Sequence, residues 1–396
     1  MLKREIMPLV LAFALTLLLA VLVSELAQRS VLSTAILFLL VGMVLSTIAP
    51  HLAPAPPDPV ISRFIELALF SVLFTDGMRV GFQDLKSAWR LPGRALLFGL
   101  PLTMLGTALL ARLAVGLTWA EAFLVGAILS PTDPVLAAAI VGREEVPGRL
   151  RWLLNVESGL NDGLALPVVI VMLAILDRSG LHLGETAFEL GLGVVLGVII
   201  PWAAIHLGHS RFFAPASTYE SLYAFAIGLL VLALASLTNA NLFLAAFSAG
   251  ITVATIGPEV RDAFHRFGEL VAELLKLSSL LLFGALISPT LLKDVAWNGY
   301  LFALLALIVV RPLALAIALL GAKLARREWI AAAWFGPKGF ASMIYGLLIL
   351  RAGISEGLHL FHLVAIVILG SIILHSSTDV IIARWFHQAE PPMTED

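Results

Sequence analysis

Apolar residues run along this chain in blocks of about twenty, separated by short polar connections. A bilayer core about 30 Å thick takes about 20 helical residues at 1.5 Å each, so each block reads as a membrane-crossing helix. The period-2 alternation of a barrel strand is absent. The pattern predicts an all-α polytopic membrane protein with thirteen spans, at roughly 7–26, 31–49, 60–78, 94–116, 119–141, 151–177, 186–208, 218–238, 240–257, 262–288, 296–322, 328–352 and 359–384. The third and tenth are the least apolar. The stretch PHLAPAPPDP (50–59) is the one Pro-rich loop, and no linker marks a second domain. The first block follows Lys3 and Arg4 without a small-residue cleavage pattern, so it reads as a retained span rather than a signal peptide.

Composition agrees: of 396 residues, 60% are hydrophobic and 13% charged. A net charge of −2 carries no nucleic-acid footprint, and the lack of cysteine excludes disulfides, thiolate metal sites and thiol nucleophiles. Charge asymmetry sets the orientation. With thirteen spans and the N-terminus outside, fifteen Lys and Arg residues fall on the inner side and seven on the outer, while Lys276, Arg311 and Lys338 lie within spans. That bias puts the N-terminus outside and the C-terminus in the cytoplasm.

Two spans carry helix breakers at mid-depth. AILSPTDPVLAA (127–138) holds Pro131 and Pro134, and WFGPKGFASM (334–343) holds Gly336, Pro337 and Gly339. A proline lacks the N–H and crowds the carbonyl four residues back. Irregular backbone at bilayer depth survives only where protein or a wet cavity covers it. These are the fifth and twelfth spans. With 186–208 as a linking helix, spans 1–6 and 8–13 form two inverted six-helix repeats, each with its broken helix fifth. Paired interruptions at matching positions point to the substrate site of a secondary transporter. Crossed broken helices bring two half-helix N-termini together, and two C-termini. Asp133 is expected to neutralise the first pair and Lys338 the second.

The sixth span reads RWLLNVESGLNDGLALPVVIVMLAIL. Ser158 and Asp162 are four apart on one face, expected to line a hydrated cavity; Glu157 and Asn161 are four apart on the neighbouring face, expected to meet protein. Gly159 and Gly163 are expected to admit the broken fifth helix. Burial disfavours a bare carboxylate, so Asp162 holds either a proton or a small cation. On the tenth span, Lys276 is expected to pair with Glu273 or Glu269. On the last, His375 is expected to pair with Asp379.

SPTDPV (130–135), ESGLNDG (157–163), RPL (311–313) and FGPKGFASMIYGL (335–347) together resemble the monovalent cation/proton antiporters of the NhaP/NHE type, closest to the bacterial NhaP-like branch with its Asn-Asp pair. The resemblance runs the length of the chain. It implies the NhaA-like antiporter fold, with 7–78 and 218–288 as a scaffold and dimer part, 94–177 and 296–385 as a transport core, and elevator-like alternating access in a homodimer. It implies that Asp162 carries ion and proton, that Thr132, Ser158 and the third-span acid Asp76 complete the cation site, that Asn161 supports it, and that Glu157 pairs with Arg311. The expected substrates are Na+, Li+ or K+ exchanged for H+, with no cofactor, no enzymatic activity and no partner beyond the bilayer and a second copy. Asn161 in place of a second acid suggests electroneutral 1:1 exchange. Two other classes fit less well. An organic-anion transporter would gather intramembrane cations, and an intramembrane aspartyl protease would need only two facing acids, leaving Lys338 unexplained.

Overall fold

A computed structural model describes residues 2–23, 34–48, 59–79, 81, 91–133, 146–177, 183–210, 213, 216, 219–287 and 289–387, and these are helical almost throughout. In chain order the helices are α1 (Leu2–Leu22), α2 (Thr34–Ile48), α3 (Pro59–Arg79), α4 (Pro92–Ala114), α5 (Trp119–Ile128), α6 (Gly148–Leu176), α7 (Leu183–Gly208), α8 (Glu220–Leu237) and α9 (Leu242–Ile256). There follow α10 (Pro258–Leu286), the short α11 (Pro289–Asp294), α12 (Trp297–Ala318), α13 (Arg326–Trp334), α14 (Phe340–Arg351) and α15 (Gly357–His387). Among the described residues, α4, α6, α7, α8, α12 and the Gly357–His375 part of α15 are long and apolar enough to cross a membrane by themselves; five shorter apolar helices join them. The outer faces of the long helices are apolar and exposed, as at Leu105 and Leu109 of α4, or Ile199 and Trp202 of α7. That is the surface a lipid-facing helix presents.

The twelfth span breaks where the sequence puts it, and α5 ends just before the predicted break in the fifth. α5 starts with a capping box, Thr118 accepting from the Glu121 N–H and the Glu121 carboxylate accepting from Thr118 N–H, and it stops at Ile128. Its end follows from Pro131, whose ring crowds the Ala127 carbonyl and whose presence pushes Ser130 out of the helical region. Residues 134–145, including Pro134, lie outside the described residues. The twelfth span divides into α13 and α14 across Phe335–Gly339. Prolines also account for one turn of π-helix in each of α4 and α12, at Ala95–Gly99 and Ala306–Val310. Pro101 and Pro312 follow directly, each removing one donor and widening the turn before it.

Two helix crossings are close enough to exclude side chains. On α2, a Cβ at Gly42 would lie 2.2 Å from the Leu281 carbonyl of α10, and one at Gly284 would lie 2.3 Å from the Leu39 carbonyl. The same pattern recurs between α9 and α3: a Cβ at Gly250 would meet the Phe74 carbonyl at 2.2 Å, and one at Gly77 the Phe247 carbonyl at 2.5 Å. Small residues let membrane helices gain van der Waals contact that lipid offers equally to larger ones. Gly42→Ala and Gly250→Ala are each expected to cost about 1–3 kcal/mol of stability, since the methyl group meets backbone that cannot rotate away. Thermal unfolding in detergent measures this. An unchanged transition in both variants would mean these crossings are looser than described.

Candidate functional site

The two breaks are stitched to each other. The Asp133 N–H donates to the Pro337 carbonyl at 2.9 Å, and Asp133 Oδ2 accepts from the Phe340 N–H, also at 2.9 Å. Phe340 opens α14, so its N–H is one of the donors a helix start leaves unpaired; a carboxylate there meets both that hydrogen bond and the positive end of the helix dipole. From the other side, Lys338 Nζ reaches the Ser130 and Pro131 carbonyls at 3.5 and 3.4 Å, just past the end of α5. Its own backbone N–H donates to Ser371 Oγ of α15 at 2.7 Å. Gly339 makes room for this, since a Cβ there would fall 2.2 Å from Asp133 Cβ.

Thr132, in the α5 break, sits over α6. Its Oγ1 lies 3.1 Å from Ser158 Oγ and accepts from Asn161 Nδ2 at 2.7 Å. Thr132, Ser158, Asn161 and Asp162 are all buried. Asp162 Oδ1 and Asn161 Oδ1 are buried without a hydrogen-bond partner. An oxygen so placed costs about 1–3 kcal/mol unless something neutral or cationic meets it. The two sixth-span stripes therefore divide differently from expectation. Asn161 shares Thr132 with Ser158, because positions three apart are also neighbours on a helix. Glu157 alone turns to α12, where Arg311 grips it in a fork, NH1 to Oε1 at 2.9 Å and NH2 to Oε2 at 3.2 Å; NH2 also donates to the Phe335 carbonyl. Among the described residues Gly163 faces α9: a Cβ there would meet the Phe247 ring at 2.4 Å, so it sets the approach of α6 to α9.

The third-span acid Asp76 is buried between two cations, 3.3 Å from Arg79 NH1 and 3.9 Å from Lys276 Nζ. The ion pair of Lys276 is thus with Asp76 rather than with the helical neighbours Glu273 and Glu269 that sequence spacing offers; Glu269 lies 3.7 Å from Arg79. The face of α10 that carries Lys276 packs inward, and across it the nearest carboxylate belongs to α3. Asp133, Glu273, Lys276 and Phe340 line one small cavity, which borders Asp133 rather than Asp162. His375 is buried, with Nδ1 3.0 Å from Ser371 Oγ and Nε2 3.2 Å from the Trp334 carbonyl. The Asp379 side chain expected beside it lies outside the described residues.

Several contacting residues escape sequence reasoning. Tyr345 of α14 is fully buried, and its hydroxyl donates to the Asp162 backbone carbonyl at 2.8 Å. The one available signal was a tyrosine inside an apolar half-helix, FASMIYGLLIL, in a chain with four tyrosines. Glu328 is buried at the start of α13, held by the Nε–Nη2 edge of the Arg149 guanidinium from α6. Its position as the third residue of a helix was visible; its partner 179 residues away was not.

Comparison with known proteins agrees with this geometry. The family model described as sodium/hydrogen exchanger, transmembrane, matches residues 13–385. A K(+)/H(+) antiporter NhaP2 of Shewanella oneidensis is 25% identical over 386 residues, covering 94% of this chain, which spans 66% of that relative's length. A K(+)/H(+) antiporter NhaP of Alkalimonas amylolytica is 26% identical over 336 residues, 82% of this chain and 57% of the relative. The solved sodium proton antiporter MjNhaP1 of Methanocaldococcus jannaschii has the same fold, with a TM-score of 0.78 at 19% identity, over 97% of this chain and 98% of that one. Orphaned carboxylate oxygen, paired breaks and family match converge: the chain is a multi-pass membrane protein and belongs to the sodium/hydrogen exchanger family, a family of antiporters and not of enzymes.

Proposed function

We propose that this protein exchanges a monovalent cation for a proton at Asp162. The observation that carries the reading is the buried Asp162 Oδ1, without a hydrogen-bond partner, on the helix turn that also presents Ser158 to Thr132. A carboxylate with one uncommitted oxygen beside two hydroxyls offers a hard-oxygen site to Na+, Li+ or K+, and the same oxygen takes a proton when the ion leaves. Two relatives are named for K+ and the structural neighbour for sodium, so both belong in the assay, with Li+ beside them as a smaller ion of the same charge. Fluorescence dequenching in everted vesicles, scanning Na+, Li+ and K+, tests the reading. The absence of a response to any of them would end it.

The transport core is built by Asp133 and Lys338, each at the pole of a half-helix that its charge suits, and Asn161 supports Thr132 by donating to it. Thirteen spans in two inverted repeats, N-terminus outside and C-terminus in the cytoplasm, remain the preferred topology. The glycine crossings support it. Gly42 lies nine residues into α2 and Gly250 nine into α9; Gly77 and Gly284 each lie two residues before the end of α3 and α10. Exchanging the halves turns the α2–α10 crossing into the α9–α3 crossing, as a pseudo-two-fold requires. In this scheme a homodimer in the plasma membrane holds the scaffold (7–78, 218–288) still while the core (94–177, 296–385) moves the site, with 186–208 as the link.

The rival readings lack support. Arg311 is committed to Glu157, Lys338 to carbonyls and Lys276 to Asp76, which leaves no cluster of free intramembrane cations for an organic anion among the described residues. Asp133 accepts from the Phe340 N–H at the start of α14, a helix-capping role that peptide hydrolysis does not call for.

Exchange is proposed to be electroneutral. Asp76 has its charge matched by Arg79 and Lys276 without an ion, and Asn161 replaces a second titrating acid, so Asp162 alone alternates between proton and cation. Membrane voltage, worth about 2.3 kcal/mol per charge per 100 mV, then does no net work on the cycle. In proteoliposomes a cation gradient is expected to build a pH difference under voltage clamp, and an imposed potential with equal cation on both sides is expected to move no protons. Proton uptake driven by voltage alone would require a second cycling charge, and Lys276 would be the first residue to replace.

A further inference from the structure

We infer that Tyr345 is a positioning residue of the ion site: its hydroxyl holds the backbone carbonyl of Asp162, and through it the carboxylate, at a fixed place against the two breaks. The inference rests on the proposed role of Asp162. Helix α6 is weak just after Asp162. Pro167 has no N–H, so the Gly163 carbonyl four residues back loses its intrahelical donor and is crowded by the ring. The turn that follows the ion-binding acid is therefore the turn least held by the helix itself.

Tyr345 braces that turn from outside, one residue before the orphaned Gly163 carbonyl. Its hydroxyl donates to the Asp162 carbonyl at 2.8 Å, and the ring is 0% exposed, so the bond is shielded from water. The same half-helix makes two more such contacts. The Phe340 N–H donates to Asp133 Oδ2 at 2.9 Å, and Ser342 Oγ donates to the Ile128 carbonyl, the last of α5, at 2.7 Å. One rigid element, α14, thus touches the end of α5, the Asp133 carboxylate and the Asp162 backbone. The spacing between the two acids is set by positions 340 and 345 of a single helix. A site that must bind a small cation and then release it needs its ligands held to a fraction of an ångström by groups that do not themselves touch the ion. Tyr345 makes no described contact with the Asp162 carboxylate, which is why it positions rather than binds.

The test is Tyr345→Phe in proteoliposomes, run beside wild type and Asp162→Asn. Phenylalanine keeps the ring that fills the core and removes the one donor. Loss of one buried hydrogen bond is expected to raise the apparent KM for the cation roughly three- to ten-fold. Maximal rate should change far less, since the interaction supports ion binding in every state. A merely structural tyrosine would lower the melting temperature and the yield while leaving KM at its wild-type value. Wild-type KM in a folded Tyr345→Phe protein overturns the inference, as does a fall in maximal rate with KM unmoved. Exchange by Asp162→Asn would overturn the underlying reading instead, so the two failures are distinguishable.

Discussion

Asp162→Asn is expected to abolish cation-driven proton movement while the protein still inserts, purifies and melts near the wild-type temperature. The amide is nearly isosteric with the carboxylate, so the packing of α6 on Thr132 has no reason to change. Its chemistry changes completely. It neither ionises to bind a cation nor takes up a proton in the working range, and both half-reactions of the proposed exchange use that one group. The orphaned Oδ1 becomes a neutral carbonyl or amide edge, so the variant carries less electrostatic cost than the wild type, and stability should hold or rise slightly. The check is paired: dequenching in everted vesicles for transport, and thermal unfolding of the purified protein for integrity. Residual exchange above a small fraction of wild type would move the central role to another acid, with Asp133 or Asp76 next in line.

Breaking the Glu157–Arg311 fork is expected to act mainly on stability. Both side chains are buried, at 5% and 4% exposure, and the guanidinium also donates to the Phe335 carbonyl beside the α13–α14 break. Glu157→Gln leaves a buried cation without its counter-charge, a loss of roughly 3–5 kcal/mol for a pair of this kind. Arg311→Gln leaves the carboxylate instead, and also frees the Phe335 carbonyl. The arginine stem lies against Gly336, where a Cβ would fall 1.9 Å from its Cδ, so Gly336→Ala should displace the same guanidinium and destabilise in the same direction. The double change Glu157→Gln with Arg311→Gln removes both charges together. It is expected to cost less than the sum of the singles, since each single includes the penalty of an unpaired buried ion. Unfolding transitions of all three variants in detergent test this; strict additivity would mean the two residues are held by other partners.

The breaks at Ser130–Asp133 and Phe335–Gly339 were legible because proline and glycine act on their own backbone, within four residues. Asp133 and Lys338 were legible as charges at half-helix poles for the same local reason, and the family motifs ran continuously through SPTDPV and ESGLNDG. Rotation about a helix axis was less legible. Spacing on α10 offered Lys276 the carboxylates of Glu273 and Glu269, and spacing on α6 offered Asn161 the company of Glu157. In the fold, Lys276 reaches Asp76 and Asn161 reaches Thr132.

The amino-acid sequence by itself determined that the chain is a multi-span helical membrane protein, where two of its helices must break, and which acid lies in an exchanger motif. These follow from local rules: apolar run length, missing N–H groups, and the spacing of polar residues along one helix. The family resemblance already implied Arg311 with Glu157, but only the tertiary structure decided the other meetings across helices: Lys276 with Asp76, Arg149 with Glu328, and Tyr345 with the carbonyl of Asp162. Those pairings depend on how far each helix is turned about its axis and how closely it approaches its neighbour. That is set by contacts such as Gly250 on the Phe74 carbonyl, between residues far apart in the chain, which no local pattern encodes.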